Sequence, residues 1–200
     1  MNSISLFSQT SAVTDKGEEV ILFDNGTWKY KNPETKSSWS TRIDTVVMNK
    51  DASSSFLLKG DKFDYGVWLN PKKWKFKKSD GAEGATEFKF TLIGEDAYAM
   101  IVAERIEVPL NDLKNLAFKN ALKVSPDIRI VYEDVRKING LLVNCMEMEG
   151  TISGIKFTYF SYYYSGPSGT IQFVSYTSQN LLKKYKPELE KLLNGFVVLK

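Results

Sequence analysis

An α+β fold is predicted: an antiparallel β-sheet with helices packed on it, preceded by an N-terminal β-hairpin. Three observations predict it. Many short segments alternate apolar and polar residues at period two, the pattern of half-buried strands. Two stretches, one central and one C-terminal, repeat apolar residues at helical spacing. Finally, Asp24-Asn25-Gly26-Thr27-Trp28 places Asn-Gly between apolar runs, a strong hairpin signal because both central residues of a type I′ turn need positive φ.

The elements follow in chain order. A two-residue Asn25-Gly26 turn would set Phe23 against Trp28 and Ile21 against Tyr30, leaving Val20 and Leu22 with Lys29 and Lys31 on the other face. Such a hairpin is marginal alone and must dock on something. Residues 31–38 are polar and turn-rich, so they read as a linker. The division expected is a hairpin with its linker over residues 1–36 and one α+β domain over 37–200.

Val46–Lys50 fits either a strand or a helical turn, and Ser55–Leu58 fits a short strand. Phe63, Tyr65, Val67 and Leu69 alternate with polar or small neighbours and predict a strand that turns at Asn70-Pro71. Lys73, Lys75 and Lys77 then alternate with Trp74 and Phe76. Residues 79–86 form a glycine-containing loop before two strands, Phe88–Ile93 and Tyr98–Ile106.

Pro109 opens a helix whose stripe is Leu113, Leu116, Ala117, Asn120, Ala121 and Val124, and Ser125-Pro126 ends it. Ile128–Val135 is the next strand. A two-residue Asn139-Gly140 turn would pair Val135 with Asn144 and Glu133 with Met146, a poor segregation that points to a longer loop or a bulge.

A Ser153-Gly154 turn pairs Ile152 with Ile155, Gly150 with Phe157 and Met148 with Tyr159, leaving room at Gly150 for the Phe157 ring to cover. A five-residue loop over Ser165–Gly169 would keep that parity and put Ile171 and Phe173 on the face of Phe157, Tyr159 and Tyr163. The C-terminal stripe is Leu182, Tyr185, Leu189, Leu192, Leu193 and Phe196, capped at Gly195, with Pro187 starting a second segment after a break near Tyr185.

Composition limits the chemistry. The 200 residues are 42% hydrophobic and 26% charged, ordinary for a globular protein, and 13% aromatic, which is high. A net charge of +3 does not by itself imply nucleic acid or an anionic membrane. Histidine is absent, which excludes His-dependent triads, His-ligated zinc and haem, and an imidazole base. Cys145 is the only cysteine, so no intrachain disulfide forms; it is expected to be a buried structural thiol.

Met1–Phe7 has no basic residue and too short an apolar run for a signal-peptide core. Ser8-Gln9-Thr10-Ser11-Ala12, however, resembles the small, polar tail of a cleaved leader. A periplasmic or secreted location is expected on that ground, with a cytoplasmic one as the alternative. No stretch approaches the ~20 apolar residues of a membrane span.

The element order resembles the PsbP-like fold, an α/β/α sandwich shared by the extrinsic PsbP protein of photosystem II and the Mog-type Ran-binding protein. The likeness runs from about Phe63 to Phe196. It rests on Trp74-Lys75-Phe76 after Asn70-Pro71, on Ile106-Glu107-Val108-Pro109-Leu110 leading into the helix, and on the ending Leu192-Leu193-Asn194-Gly195-Phe196. The Asp24-Asn25-Gly26-Thr27-Trp28 stretch is similar to a short element, usually Asp-Gly-Thr-Trp, near the start of exported bacterial proteins. The resemblance implies a binding or assembly module rather than a catalyst and carries over no functional residue.

Two candidate sites emerge. Phe160, Tyr162, Tyr164, Val174 and Tyr176 share the second face of the C-terminal sheet with Gln172 in the expected register. That face is either a second packed layer or a groove for a peptide or small apolar ligand. Lys72, Lys73, Lys75, Lys77 and Lys78, interleaved with Trp74 and Phe76, could hold single-stranded nucleic acid or an acidic partner; lysines on an edge strand also block sheet-to-sheet aggregation, and that reading is preferred.

Four patterns are set aside. Ser153-Gly154-Ile155-Lys156 matches the Ser-x-x-Lys of penicillin-recognising enzymes only formally, because it sits on a β-turn. Glu147 and Glu149 read as a solvated strand face rather than a cation site. Gly166-Pro167-Ser168-Gly169 is no phosphate loop. Asn25-Gly26-Thr27 matches a glycosylation acceptor and is discounted in a bacterial chain.

The expected function is a non-catalytic binding or assembly module of the bacterial cell envelope, with no cofactor or metal, and a protein, peptide or small apolar ligand as partner. The alternatives are a histidine-free hydrolase using carboxylates such as Glu104, Glu133 or Glu147, and a nucleic-acid binder working through Lys72–Lys78.

Overall fold

The structure, a computed structural model, describes residues 9–13, 19–23, 28–30, 42–80 and 84–199. The chain divides into two compact units, residues 1–40 and 41–200. In the first unit β1 (Gln9–Val13), β2 (Glu19–Phe23) and β3 (Trp28–Tyr30) form an antiparallel sheet in that order. The segment with the leader-like composition thus contributes a strand. Leu22 pairs with Trp28, Ile21 with Lys29 and Val20 with Tyr30, one position away from the register of a two-residue turn. A one-residue slip exchanges the faces of a strand, and Val20 is accordingly the buried residue of β2. Asn25 and Gly26, and the linker after Tyr30, lie outside the described residues.

The second unit is built on an eight-stranded sheet. Its order is β4 (Arg42–Met48), β10 (Arg129–Ile138), β11 (Leu141–Ile152), β12 (Ile155–Gly166), β13 (Gly169–Ser178), β9 (Ala97–Glu104), β8 (Thr86–Leu92) and β7 (Trp74–Lys78). Neighbours are antiparallel except β4, which runs parallel to β10. A smaller antiparallel sheet has the order β14 (Phe196–Val198), β6 (Tyr65–Leu69) and β5 (Phe56–Lys59).

Two apolar layers sandwich the large sheet. On one face α1 (Leu110–Val124) buries Leu113 and Ala117 against Met146, Met148, Phe157 and Tyr163. On the other, α2 (Leu182–Leu193) and the small sheet bury Leu189, Leu192, Val67 and Phe196 against Phe160, Tyr162, Ile171 and Phe173.

The alternation of β6 holds as predicted, with Tyr65, Val67 and Leu69 each 1% exposed. Asn139-Gly140 and Ser153-Gly154 are both two-residue turns with positive φ at each residue. The pairing of Val135 with Asn144 is therefore real. The irregularity expected near Asn139-Gly140 sits farther along, between Ile130 and Tyr132. The space at Gly150 is filled by Ser125 and Ile128, not by the Phe157 ring: a Cβ there would stand 2.4 Å from the Ser125 Oγ.

The β12–β13 connection corrects the expected parity. Gly166 pairs with Gly169, so Pro167-Ser168 alone makes the turn and both glycines belong to the ladder. Tyr162 then opposes Phe173, and Phe157 opposes Ser178. Ile171 and Phe173 lie on the face opposite Phe157, Tyr159 and Tyr163. Glycine is required at position 169, where φ is +149° and a Cβ would meet the Glu104 carbonyl at 2.4 Å.

Both helices differ in detail from expectation. Pro109 stands one residue before α1, and its carbonyl accepts the backbone N–H of Asp112 and Leu113. The helix turns Leu110, Phe118, Ala121 and Leu122 inward with Leu113 and Ala117, leaving Leu116 and Val124 exposed, because Phe118 and Leu122 bring more apolar surface to the sheet. In α2 the helix continues through Pro187 without a break. Pro187 and Lys183 are both exposed, so the carbonyl that loses its helical donor faces water. Phe196 has left the helix and opens β14. Gly195 makes that exit possible: a Cβ would lie 1.9 Å from the Trp68 carbonyl oxygen, and the Gly195 carbonyl accepts the Trp68 N–H at 2.8 Å.

Candidate binding groove on the open sheet face

The shifted register divides the first candidate site. Phe160 and Tyr162 are 0% and 1% exposed beneath α2, and Tyr164 packs on the Phe196 ring at 5.3 Å. Gln172, Val174 and Tyr176 face the other way, toward the α1 side. Of the residues expected to line a ligand site together, only Tyr176 lies in a recess that can take one.

That recess comes from incomplete coverage of the sheet. Helix α1 packs chiefly on β11 and β12, while β13, β9, β8 and β7 extend beyond it. Tyr98, Met100 and Tyr176 on that open face, with Phe157 and Tyr159 of β12 at the margin of the α1 layer, floor a groove of about 610 Å³, and Ile152 and Ile155 from the Ser153-Gly154 hairpin lie along one side. Tyr176 is the direct cross-strand partner of both Tyr159 and Tyr98. The Tyr98 and Tyr176 rings stack at 5.5 Å with planes 25° apart, and Tyr159 meets Tyr176 edge-on at 6.1 Å.

Burial and the neighbouring Asp96 carboxylate push the Tyr98 phenol above its usual range, and burial beside Tyr176 does the same for Tyr159. Both therefore remain neutral hydroxyls at physiological pH. Ile155 is 63% exposed at the hairpin tip, so apolar surface continues beyond the groove. The arrangement offers apolar area with a few orienting hydroxyls.

The basic candidate is divided as well. Strand β7 is an edge of the large sheet, the position where lysines block further pairing. Lys72 and Lys73 lie in the Asn70 turn, and Lys78 pairs with Asp61. Lys75 and Lys77 project on the groove face, because Lys75 opposes Thr91, which opposes Tyr98, and Lys77 opposes Lys89, which opposes Met100.

The carboxylates named for a hydrolase are separated. Glu133 accepts from Lys114 of α1 at 2.7 Å and from Asn144, whereas Glu147 accepts from Lys186 of α2 at 2.8 Å, on the opposite face. Glu104 closes β9 and is exposed. Glu147 and Glu149 are not a solvated face: their side chains are 12% and 21% exposed and paired with Lys186 and Arg129. Among the described residues no cluster of carboxylates and thiols fits a metal ion, and no helix is long and apolar enough to cross a membrane.

Beneath α2 lies a polar network invisible to sequence patterning. Arg136 Nε donates to both oxygens of Asp134 at 2.9 and 3.0 Å, and its Nη1 donates to the Tyr162 hydroxyl at 2.9 Å and to Glu190 at 3.1 Å. The Tyr132 hydroxyl donates to Asp134 and the Tyr162 hydroxyl to Asn194. Cys145 is fully buried nearby, and burial pushes its thiol well up, only partly offset by Arg136. These groups are closed in by packing and satisfy one another, which marks a structural network.

Solved structures share this architecture. Cyanobacterial PsbP (CyanoP) from Synechocystis matches with a TM-score of 0.57 at 15% identity, over 74% of this chain and 95% of that one. A Bacteroides thetaiotaomicron protein matches with a TM-score of 0.51 at 10% identity, over 74% of this chain and 49% of the other. LpqN of Mycobacterium tuberculosis, described as involved in cell envelope biogenesis, matches with a TM-score of 0.49 at 11% identity, over 72% and 90% of the two chains. No protein-family model and no curated protein matches the chain. At these identities the likeness is one of fold.

Proposed function

We propose that this chain of PsbP-like fold is a non-catalytic binding module of the bacterial cell envelope, and that the aromatic groove is its ligand site. The observation that carries the reading is the Tyr98–Tyr176–Tyr159 row: three large rings, each only partly buried, running from the margin of the α1 layer at β12 onto the open face of β13 and β9. A sheet fully committed to its own core would cover such rings, and contiguous exposed apolar surface of this kind marks interaction sites. The placement in the envelope draws support from the likeness of Asp24–Trp28 to an element of exported bacterial proteins.

Native mass spectrometry of the full chain and of a Tyr98→Ser/Tyr176→Ser variant, both gently purified from a bacterial envelope fraction, tests the reading. The wild-type chain is expected to retain an apolar adduct that the variant loses. Equal retention by both, or recovery of the chain only from the cytoplasm of its host, contradicts it.

A further inference from the structure

The groove has a direction. One row of cross-strand partners runs Tyr159, Tyr176, Tyr98, Thr91, Lys75, and the adjacent row runs Ser161, Val174, Met100, Lys89, Lys77. Strands lie ~4.8 Å apart, so the face passes from aromatic to cationic over about 10 Å and spans about 19 Å from β12 to β7. Lys75, Lys77 and Lys89 are exposed on the same sheet face, beyond the residues that line the groove. Lys77 stands directly opposite Lys89 in the β7–β8 ladder. Asp96 also lines the groove, and its carboxylate accepts from the Ser178 hydroxyl at 3.3 Å. Asp96 precedes Tyr98 by two residues, so the row through Met100, Lys89 and Lys77 is the one farther from this acid.

We propose that the groove takes an anionic amphiphile, a long-chain carboxylate whose acyl chain lies across Phe157, Tyr159, Tyr176 and Met100 and whose headgroup sits at Lys75 and Lys77. This rests on the groove being the ligand site and adds the class of ligand. An extended peptide fits less well. Its backbone amides would lie over rings and methyl groups and lose their hydrogen bonds to water. A nucleic acid fits less well too. Tyr98 and Tyr176 turn their ring faces toward each other, and those faces are what bases stack on. A hydrocarbon chain needs neither backbone partners nor free ring faces.

The test compares dodecanoate with uncharged 1-dodecanol by titration calorimetry at low salt. Three forms of the full chain are used: wild type, Lys75→Glu/Lys77→Glu, and Tyr98→Ser/Tyr176→Ser. Wild type is expected to prefer dodecanoate by about tenfold, a preference that fades with added salt. Charge reversal should abolish that preference and leave dodecanol affinity unchanged; the serine variant should lose both ligands.

Equal affinity for the two ligands in wild type, unmoved by charge reversal but lost in the serine variant, overturns the anionic assignment and leaves the groove standing. Binding of neither ligand, or binding that the serine variant retains, overturns the groove itself.

Discussion

Tyr98 and Tyr176 are direct cross-strand partners whose rings stack at 5.5 Å on the side of the sheet that α1 leaves open. The two rings pack on each other yet stay only partly buried. That combination separates a surface used for binding from one used for packing, and it can be measured.

Tyr176→Ala should therefore destabilise the domain by only about 1–2 kcal/mol, mostly the lost ring contacts and partial burial. Tyr162→Ala, under α2, should cost about 3–5 kcal/mol, because it opens a cavity and strips Arg136 of a partner. Urea unfolding of both variants checks this. A comparable loss in the two would place Tyr176 in the core and not at a ligand site.

Arg136 and Asp134 form a buried ion pair, with side chains 7% and 0% exposed. Arg136→Met should cost about 3–5 kcal/mol, since it leaves Asp134 charged and enclosed. Adding Asp134→Leu should recover a large part of that loss. A double variant less stable than the single would show that the pair contributes more than its own compensation.

Asp127 links stability to acid. The Ser125 hydroxyl and the Thr151 hydroxyl and N–H stabilise its carboxylate and lower its pKa to about 2. Its ordinary value is about 4. A depressed folded-state pKa contributes stability that is fully present above about pH 4 and is lost as pH falls through about 2. Asp127→Asn should be less stable than wild type at neutral pH and show a shallower loss of stability between those values. Parallel pH profiles would remove Asp127 from the acid response.

Cys145 should be silent to thiol reagents in the folded chain, because it is 0% exposed and burial holds the thiol protonated. Labelling by an aromatic disulfide should appear only on unfolding, at the unfolding rate when reagent is in excess. Rapid labelling of the native chain would mean that the α2 layer opens locally.

The elements were legible where their cause is local. Ser153-Gly154 announces its two-residue turn and β6 announces itself by alternation, whereas the poor segregation of the flanking pairs hides the equal turn at Asn139-Gly140. The PsbP-like arrangement followed from the order of such elements. What depended on one residue of register was not legible. Gly166 and Gly169 look like loop but belong to the ladder, and that shift carried Ile171 and Phe173 to the other side of the sheet.

The same shift split the proposed tyrosine cluster, sending Tyr162 into the core and Tyr176 to the groove. Where a groove opens depends on which strands α1 covers, and nothing in the helix's own residues encodes that. The Arg136–Asp134–Tyr162 network was hidden for a related reason: Asp134 and Arg136 are neighbours on β10, but Tyr162, Glu190 and Asn194 come from distant segments and join them only under α2.

Two-dimensional NMR of the isotope-labelled full chain titrated with dodecanoate tests the central claim most directly. The account predicts saturable shifts concentrated at Tyr98, Met100, Phe157, Tyr159 and Tyr176, with Lys77 following. Shifts centred instead on Tyr162, Glu190 and Asn194 beneath α2, or none at the groove at saturating ligand, would contradict it.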